Sequence, residues 1–449
     1  MPFLLILLVG FLTLGTAFDF DPGPAPGVKI KNLLLYLLVL GLLLRMSLDK
    51  SYRIQFPSMP ILFGILAGYA IVSYLAAVFV IQYPRYEVLG NGFDLKNSVI
   101  DQMLFFLVFF YGIRTRKDGM AVLQALLAAC ALAHVLAVLD ALGIAHFGDI
   151  EIRSDGRVQG AIGESNQYGA FVVMSLPPMI ALAFITRGAQ RLFWVGAAAL
   201  TGITLIMTVS RGAFVATFVA FAAGLIMFRR YAPPGRLLVW GFAGVASLVL
   251  VVVAAAALGF GELLYHRLVA GSGGDLGGTS SGRTEIWATA LSVMAEQPIS
   301  FLTGFGWRAY QSMPFRYAPH NFYLNQWFNL GLVGLTCSVL LLVLPARLAK
   351  RAITRAVPQI RPVLMAFIVA TIAFATATFF VDLYLPWLYF WSLAGIAARL
   401  AINELEQTEP TPAAVVEKVP ESAPSHDNFG WKAKPVSHQG APSLAMRTK

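Results

Sequence analysis

Long apolar runs separated by short polar breaks fill this chain from its first residues to about position 402. The runs lie near 3–18, 30–46, 60–81, 98–113, 120–142, 167–186, 191–209, 212–228, 237–259, 325–345, 362–381 and 385–400. Each comes close to the roughly 20 apolar residues that an α-helix needs to cross a bilayer, so the pattern predicts about twelve spanning helices. Runs 191–209 and 212–228 are parted only by "SRG", which makes them a tight helical hairpin. Past Asn403 large apolar residues thin out and Pro, Glu, Ser, Ala and Lys take over. Such a segment cannot bury enough surface to offset its ordering entropy. The expected organisation is an all-α, polytopic membrane helical bundle over 1–402 with a disordered tail over 403–449.

The polar breaks fall into two alternating sets. One reads "RMSLDKSYR", "RTRKDG", "RGAQR", "RRYAPPGR" and "ARLAKRAITRAVPQIR". Cytoplasmic loops carry this excess of Lys and Arg, so these breaks are expected inside, together with both termini. The other set faces out: "DFDPGPAPG", "YPRYEVLGNGFDLKN", the loop 143–166, "SRG", the long helical segment 260–324 between the ninth and tenth spans, and "DLYLP". Composition agrees with a membrane protein. The 449 residues are 58% hydrophobic and 12% charged, with a mean hydropathy of +0.71. Soluble domains average about 45–50% apolar and about 25% charged. The net charge of +10 is scattered between apolar runs and forms no basic stripe, so a nucleic-acid partner is not expected. Cys130 and Cys337 both lie in apolar runs, which argues against a disulfide framework or a thiolate metal site. The first run ends in small residues like a signal peptide but lacks a basic n-region, and is expected as a retained helix.

Candidate chemistry gathers on the outward set. Arg211, in "TVSRGAF", sits in a hairpin too short to leave the bilayer surface. It is either a snorkelling arginine or a fixed cation at headgroup depth, with Gly212 allowing a headgroup to approach. Arg283, in "TSSGRTEIWATALSVMAEQ", opens a helix marked by Ile286, Trp287, Leu291 and Met294, with Ser280, Ser281 and Gly282 as capping residues. A cation in a first turn opposes the helix dipole. A bound anion relieves that conflict, and so does a local pair with Glu285. Arg157, Glu164, Asn166 and Gln167 precede the sixth run and either line a polar cleft or form ordinary surface. His320 and Asn321 stand in "PHNFYLNQW" among aromatic residues. The histidine is an interfacial residue or a general base, since imidazole titrates near neutrality. Trp307, Tyr310 and Tyr317 fit interface anchors better than sugar-stacking platforms. His134 is mid-span, and Asp140 and Asp382 are outward-edge acids with no partner evident from the sequence. There is no Walker A motif, no metal-ligand spacing and no nucleophile elbow, so no metal or cofactor is implied.

Taken together, "GRVQGAIGESNQYGAF", "SRGAF", "SGRTEIWATAL" followed by "LTGFGW", and "HNFYLNQWFNLGLVGL" resemble the bacterial O-antigen ligase and polymerase superfamily of membrane glycosyltransferases. The resemblance covers most of Arg157 to Leu335; the first 150 residues match only in hydropathy. It implies transfer of a glycan from undecaprenyl diphosphate to a sugar acceptor on the periplasmic face of the inner membrane. The acceptor is lipid A core for ligases and a lipid-linked glycan for polymerases. It also implies that Arg211, Arg283 and His320 are catalytic, and suits Arg157, Glu164, Asn166 and Asn321 as substrate contacts. The ligase is the leading expectation and the polymerase the alternative. A transporter of lipid-linked glycans would place charges or broken helices at mid-membrane, and the runs carry few such charges. Topology gives the first test: in Ser281→Cys the new thiol should react with an impermeant reagent applied from outside, and protection there would reverse the assigned orientation.

Overall fold

The computed structural model describes residues 1–17, 29–49, 54–144, 157–231, 253, 256–262, 265, 282–315, 318–383 and 386–406. Most of the predicted ninth run, and the tail beyond Glu406, lie outside these residues, as do Ser280, Ser281 and Tyr317. All regular structure among the described residues is helical. The long helices are α1 (Pro2–Ala17), α2 (Ile30–Leu48), α3 (Ser58–Ala76, extended by one wider turn, Ala77–Ile81), α4 (Val88–Leu95), α5 (Asp101–Gly112), α6 (Arg116–Ala141), α7 (Ser165–Ile185), α8 (Gly188–Met207) and α9 (Arg211–Phe228). After the undescribed stretch come α10 (Arg283–Glu296), two single turns, α11 (Ser300–Thr303) and α12 (Ala309–Ser312), then α13 (Phe322–Ala352), α14 (Arg361–Ala377) and α15 (Pro386–Glu406). Among the described residues, seven helices are long and apolar enough to cross a bilayer, namely α2, α3, α6, α7, α8, α9 and α13; α1 and α14 are apolar but shorter. The number twelve therefore exceeds what length and apolarity establish, although a helix stands at every predicted run other than the ninth.

The helices form a bundle around α15, buried along nearly its whole length and packed by α5, α6 and α13. A second group packs α7, α8 and α9 with α14. Outer helices leave large apolar side chains bare, such as Leu37, Leu40 and Leu44 on α2 and Phe218 and Ile226 on α9. Water would not tolerate so extended an apolar surface, whereas lipid matches it. The fourth run begins at Val88 rather than near residue 98, and passes through one wide turn, Lys96–Ile100, into α5. The polar residues that suggested a loop are satisfied within the bundle. Lys96 pairs with Asp101 at 2.9 Å, and Asp101 also accepts from Tyr36 Oη at 2.8 Å and Asn32 Nδ2 at 3.3 Å.

The two ends of the bundle differ in kind. At one end Arg116 pairs with Glu404 at 2.6 Å, Glu404 accepts from the Val357 amide at 2.8 Å, and Gln55 bonds Arg399 and Glu406. Arg229, Arg230 and Tyr231 lie beside Lys350 and Ile353. These are the basic breaks. About 25 Å away, at the other end of the 17-residue α14, the turn 378–383 meets the start of α9 and the start of α13.

α13 is not continuous. Gly331 leaves the helical region (φ 59°, ψ −156°), and the break frees carbonyls that lipid cannot satisfy. Phe328 O and Asn329 O accept instead from Phe305 N and Gly306 N, each at 2.9 Å. So close an approach leaves no room for a side chain: a Cβ at Gly331 would overlap the Leu302 carbonyl, and one at Gly304 the Asn329 carbonyl. Both glycines also have positive φ. Gly331→Ala combines backbone strain with backbone overlap and should destabilise the protein by on the order of 3 kcal/mol, read as a lowered melting temperature in detergent.

Candidate functional site

The turn 378–383 is the meeting point of the candidate residues. From one side Gly212 packs against it so tightly that a Cβ would stand 2.7 Å from Phe380 Cβ. The glycine thus accommodates Phe380, where the sequence suggested a bulky headgroup. Arg211 is the first residue of α9, half-buried, behind a Ser210 cap whose hydroxyl accepts from Ala213 N. From another side α10 begins at Arg283, as expected, capped by Gly282 in the left-handed region without a side-chain bond. Its inner face is built by Ala290 and Met294, while Leu291 is exposed. Trp287, one turn past Arg283, donates from Nε1 to Pro319 O at 2.7 Å and meets Phe379 edge-on at 5.4 Å. That pair of contacts fixes the helix start beside His320.

His320 itself has φ 46°, a left-handed conformation uncommon for a residue with a side chain. Bonds on all sides hold it there. Phe322 N donates to Thr378 O at 3.0 Å, the Asn321 side chain accepts from Leu324 N at 3.0 Å as the cap of α13, and the His320 amide donates to the Asp382 carboxylate. Backbone strain of this kind concentrates at functional sites because the surroundings must over-determine it.

Asp382, which the sequence left without a partner, is the centre of the constellation. It is 9% exposed and accepts from Asn325 Nδ2 at 3.4 Å. Arg308 and Arg283 both act on it through space. Asn325 in turn accepts from Asn329 Nδ2 at 2.6 Å, and Asn329 accepts from Tyr310 N at 2.9 Å. Arg308, left-handed at φ 58° after the "GFGW" turn, also pairs with Asp94 at 2.6 Å. Burial raises the Asp382 carboxyl to about 6, with the two arginines and the hydrogen bonds pulling the other way. Burial and Asp382 together raise the Tyr310 phenol to about 12.

The residues before α7 form a separate latch. Arg157, 2% exposed, donates from Nε to Thr208 O at 3.0 Å and through its guanidinium to Asn166 Oδ1 at 3.1 Å, which also accepts from Ser210 Oγ at 3.0 Å. Glu164 caps α7, accepting from Asn166 N at 3.1 Å and Gln167 N at 2.7 Å. Of the residues expected as substrate contacts, Arg157 and Asn166 tie this segment to the Arg211 hairpin, while Glu164 and Asn321 cap the starts of α7 and α13. Trp307 and Tyr310 are buried, away from any interface belt: Trp307 donates to Asn91 O at 3.0 Å, and Tyr310 stacks on Phe315 with centroids 4.3 Å apart. His134 is fixed between Tyr168 Oη at 2.9 Å and Ser175 Oγ at 3.1 Å.

The structure thus joins Arg283 and His320 and adds Asp382, Arg308 and Asn325, with Arg211 held against the same turn by its neighbour. A helical, multi-pass membrane protein with buried acid, arginines and a strained histidine at one end is what the geometry defines. Residues 196–339 match the O-antigen ligase family model, a stretch containing Arg211, Arg283, Arg308, His320 and Asn325. Over that stretch the chain is similar to the O-antigen ligase and polymerase superfamily, a family of glycosyltransferase-like enzymes that act on lipid-linked glycans. No curated protein matches it.

The raised Asp382 carboxyl has a consequence for stability. A group that holds its proton more tightly folded than unfolded contributes stability in full below its ordinary value of 3.8 and loses it as pH climbs through about 6. Asp382→Asn lacks that dependence. Between about pH 5 and about pH 7.5 the wild type should lose melting temperature relative to the Asn variant; a gap that does not move with pH would show an ordinary carboxyl.

Proposed function

We propose that this protein transfers a polysaccharide from undecaprenyl diphosphate to a sugar acceptor, as an O-antigen ligase with lipid A core as acceptor, at the periplasmic face of the bacterial inner membrane. The observation that carries this reading is the gathering of Arg283 and His320 at one end of the bundle, with Arg211 packed against the same turn. In that reading residues 1–402 are the glycosyltransferase domain, with 260–324 its outward loop. The site end holds segments of the outward set of breaks, and residues of the Lys- and Arg-rich set gather at the opposite end, which supports a periplasmic site.

An acceptor hydroxyl attacks the anomeric carbon, a new glycosidic C–O bond forms, and the bond to the diphosphate breaks with its electron pair leaving on the diphosphate. The configuration inverts in this single displacement. Charge grows on the leaving oxygens as the bond stretches, and the Arg211 and Arg283 guanidinium groups stabilise that charge more than they stabilise the ground state, which is the condition for catalysis. His320 takes the hydroxyl proton; its strained backbone, clamped by Asp382 and Thr378, fixes where the imidazole originates. Arg157, Glu164, Asn166 and Asn321 serve as positioning residues, holding the Arg211 hairpin and the start of α13.

The test is transfer in vitro from a purified undecaprenyl-diphosphate glycan with lipid A core and a lipid-linked glycan offered in parallel. Product on core alone supports the ligase; lengthened lipid-linked chains support polymerase chemistry at the same site. His320→Ala and Arg283→Ala should each lower turnover by about 10²-fold or more while the protein still folds. Normal turnover in both would sink the mechanism.

A further inference from the structure

A narrow cleft, with about 70 Å³ open to the centres of water-sized molecules, is lined by Asp382 and by residues of α3, α5, α13 and α15. Its lining mixes apolar side chains, among them Phe63, Leu66, Val99, Phe322, Leu341 and Leu383, with indoles and polar groups. Trp307, Trp387 and Trp391 supply indole surface. Between them stand the amides of Gln102, Asn325, Gln326 and Asn329 and the hydroxyls of Ser98 and Ser338. Several of these polar groups have nothing in the protein to bond. Among the described residues, Ser98 and Gln326 make no hydrogen bond, nor does Ser338, which is only 5% exposed and lies within the predicted tenth span. Buried polar groups are ordinarily paired, so hydroxyls and amides left open in a cleft mark a place for a hydrogen-bonding ligand.

The lining discriminates between the chemistries at hand. An isoprenoid chain would bury Ser338 and the amides against hydrocarbon with no partner. A diphosphate would meet the Asp382 carboxylate, and the one cation lining the cleft, Arg308, already answers both Asp382 and Asp94. A neutral sugar suits the polar groups and the indoles, with its C–H faces toward the apolar part of the lining. Hydroxyls both donate to and accept from amides and serines, the C–H faces of a pyranose lie against indole, and Asp382 can accept from a hydroxyl. Asp382, which lines the cleft, also holds the His320 amide, so a hydroxyl bound to this carboxylate lies next to the backbone of the proposed base.

We propose that this cleft is the subsite for the acceptor sugar, a neutral hexose unit of the acceptor glycan seated among Ser98, Gln326, Ser338 and the indoles. The proposal rests on the glycosyl-transfer reading and divides the site: acceptor in the cleft, donor diphosphate at Arg211 and Arg283.

The test uses the full chain in lipid nanodiscs. Tryptophan fluorescence is followed while dephosphorylated core oligosaccharides and neutral O-unit oligosaccharides are added, and separately undecaprenyl diphosphate. Two variants are compared with the wild type after their melting temperatures are checked: Gln326→Ala with Ser338→Ala, which removes two partners, and Ser98→Phe, which fills the mouth. Both should weaken binding of the oligosaccharide by about tenfold or more and leave undecaprenyl diphosphate within about twofold. In turnover, the acceptor KM should rise and the donor KM hold. No saturable response of the wild type to any oligosaccharide overturns the subsite. So does unchanged oligosaccharide binding in both variants, or parallel loss of undecaprenyl diphosphate, which would put the donor in the cleft. Sugar binding without any transfer by the wild type would defeat the glycosyl-transfer reading and leave a sugar subsite standing. Transfer that both variants perform with an unchanged acceptor KM would defeat the subsite alone.

Discussion

Backbone groups inside a bilayer must find partners within the protein, and the break in α13 is where that constraint shapes everything around it. Once Gly331 departs from the helix, the carbonyls of Phe328 and Asn329 need donors, and the only approach close enough comes from the glycine turn at Gly304–Gly306. That docking determines where Arg308 and Tyr310 go, because they follow the turn within a few residues. It also determines where Asn329 points, and through Asn329 and Asn325 the polar chain reaches Asp382. A local defect in one helix is thus the physical origin of a polar site at its end.

The site balances charges of both signs. Asp382 is surrounded by two arginines, an amide side chain and a backbone N–H, yet burial still dominates its proton affinity. In the proposed glycosyl transfer, acid and arginines divide two tasks: the guanidinium groups are assigned to an anionic leaving group, and the carboxylate, among amides and indoles, to a neutral nucleophile.

Much of the helical frame was legible from hydropathy, since a run of apolar residues has few alternatives to a buried or lipid-facing helix. The reading slipped where polar residues were satisfied by distant partners. "NGFDLKN" looked like a loop because nothing nearby announces that Asp94 pairs with Arg308 and that Asn91 O accepts from Trp307, both more than 200 positions away. Arg211, Arg283 and His320 stood out by their local placement. Asp382 and Arg308 did not, because Asn325 is 57 positions from Asp382 and no spacing rule links them. Glu164 and Asn321 carry a second role that the sequence reading passed over. A carboxylate or amide just before an apolar run is the ordinary signature of a helix cap, and both side chains cap helices here.

The burial of α15 bears on how such a chain is made. This helix follows all its packing partners in the sequence, yet it lies at the centre of the bundle, against α5, α6 and α13. During synthesis the earlier helices enter the bilayer before their central neighbour exists. Their inward faces, including the side of α5 that later receives Trp391 on Gln102, must wait in lipid or in loose mutual contact. Assembly of the cleft and of the site at its mouth is thereby the last event of biogenesis, and a ribosome stalled before residue 386 leaves a membrane-inserted protein with neither.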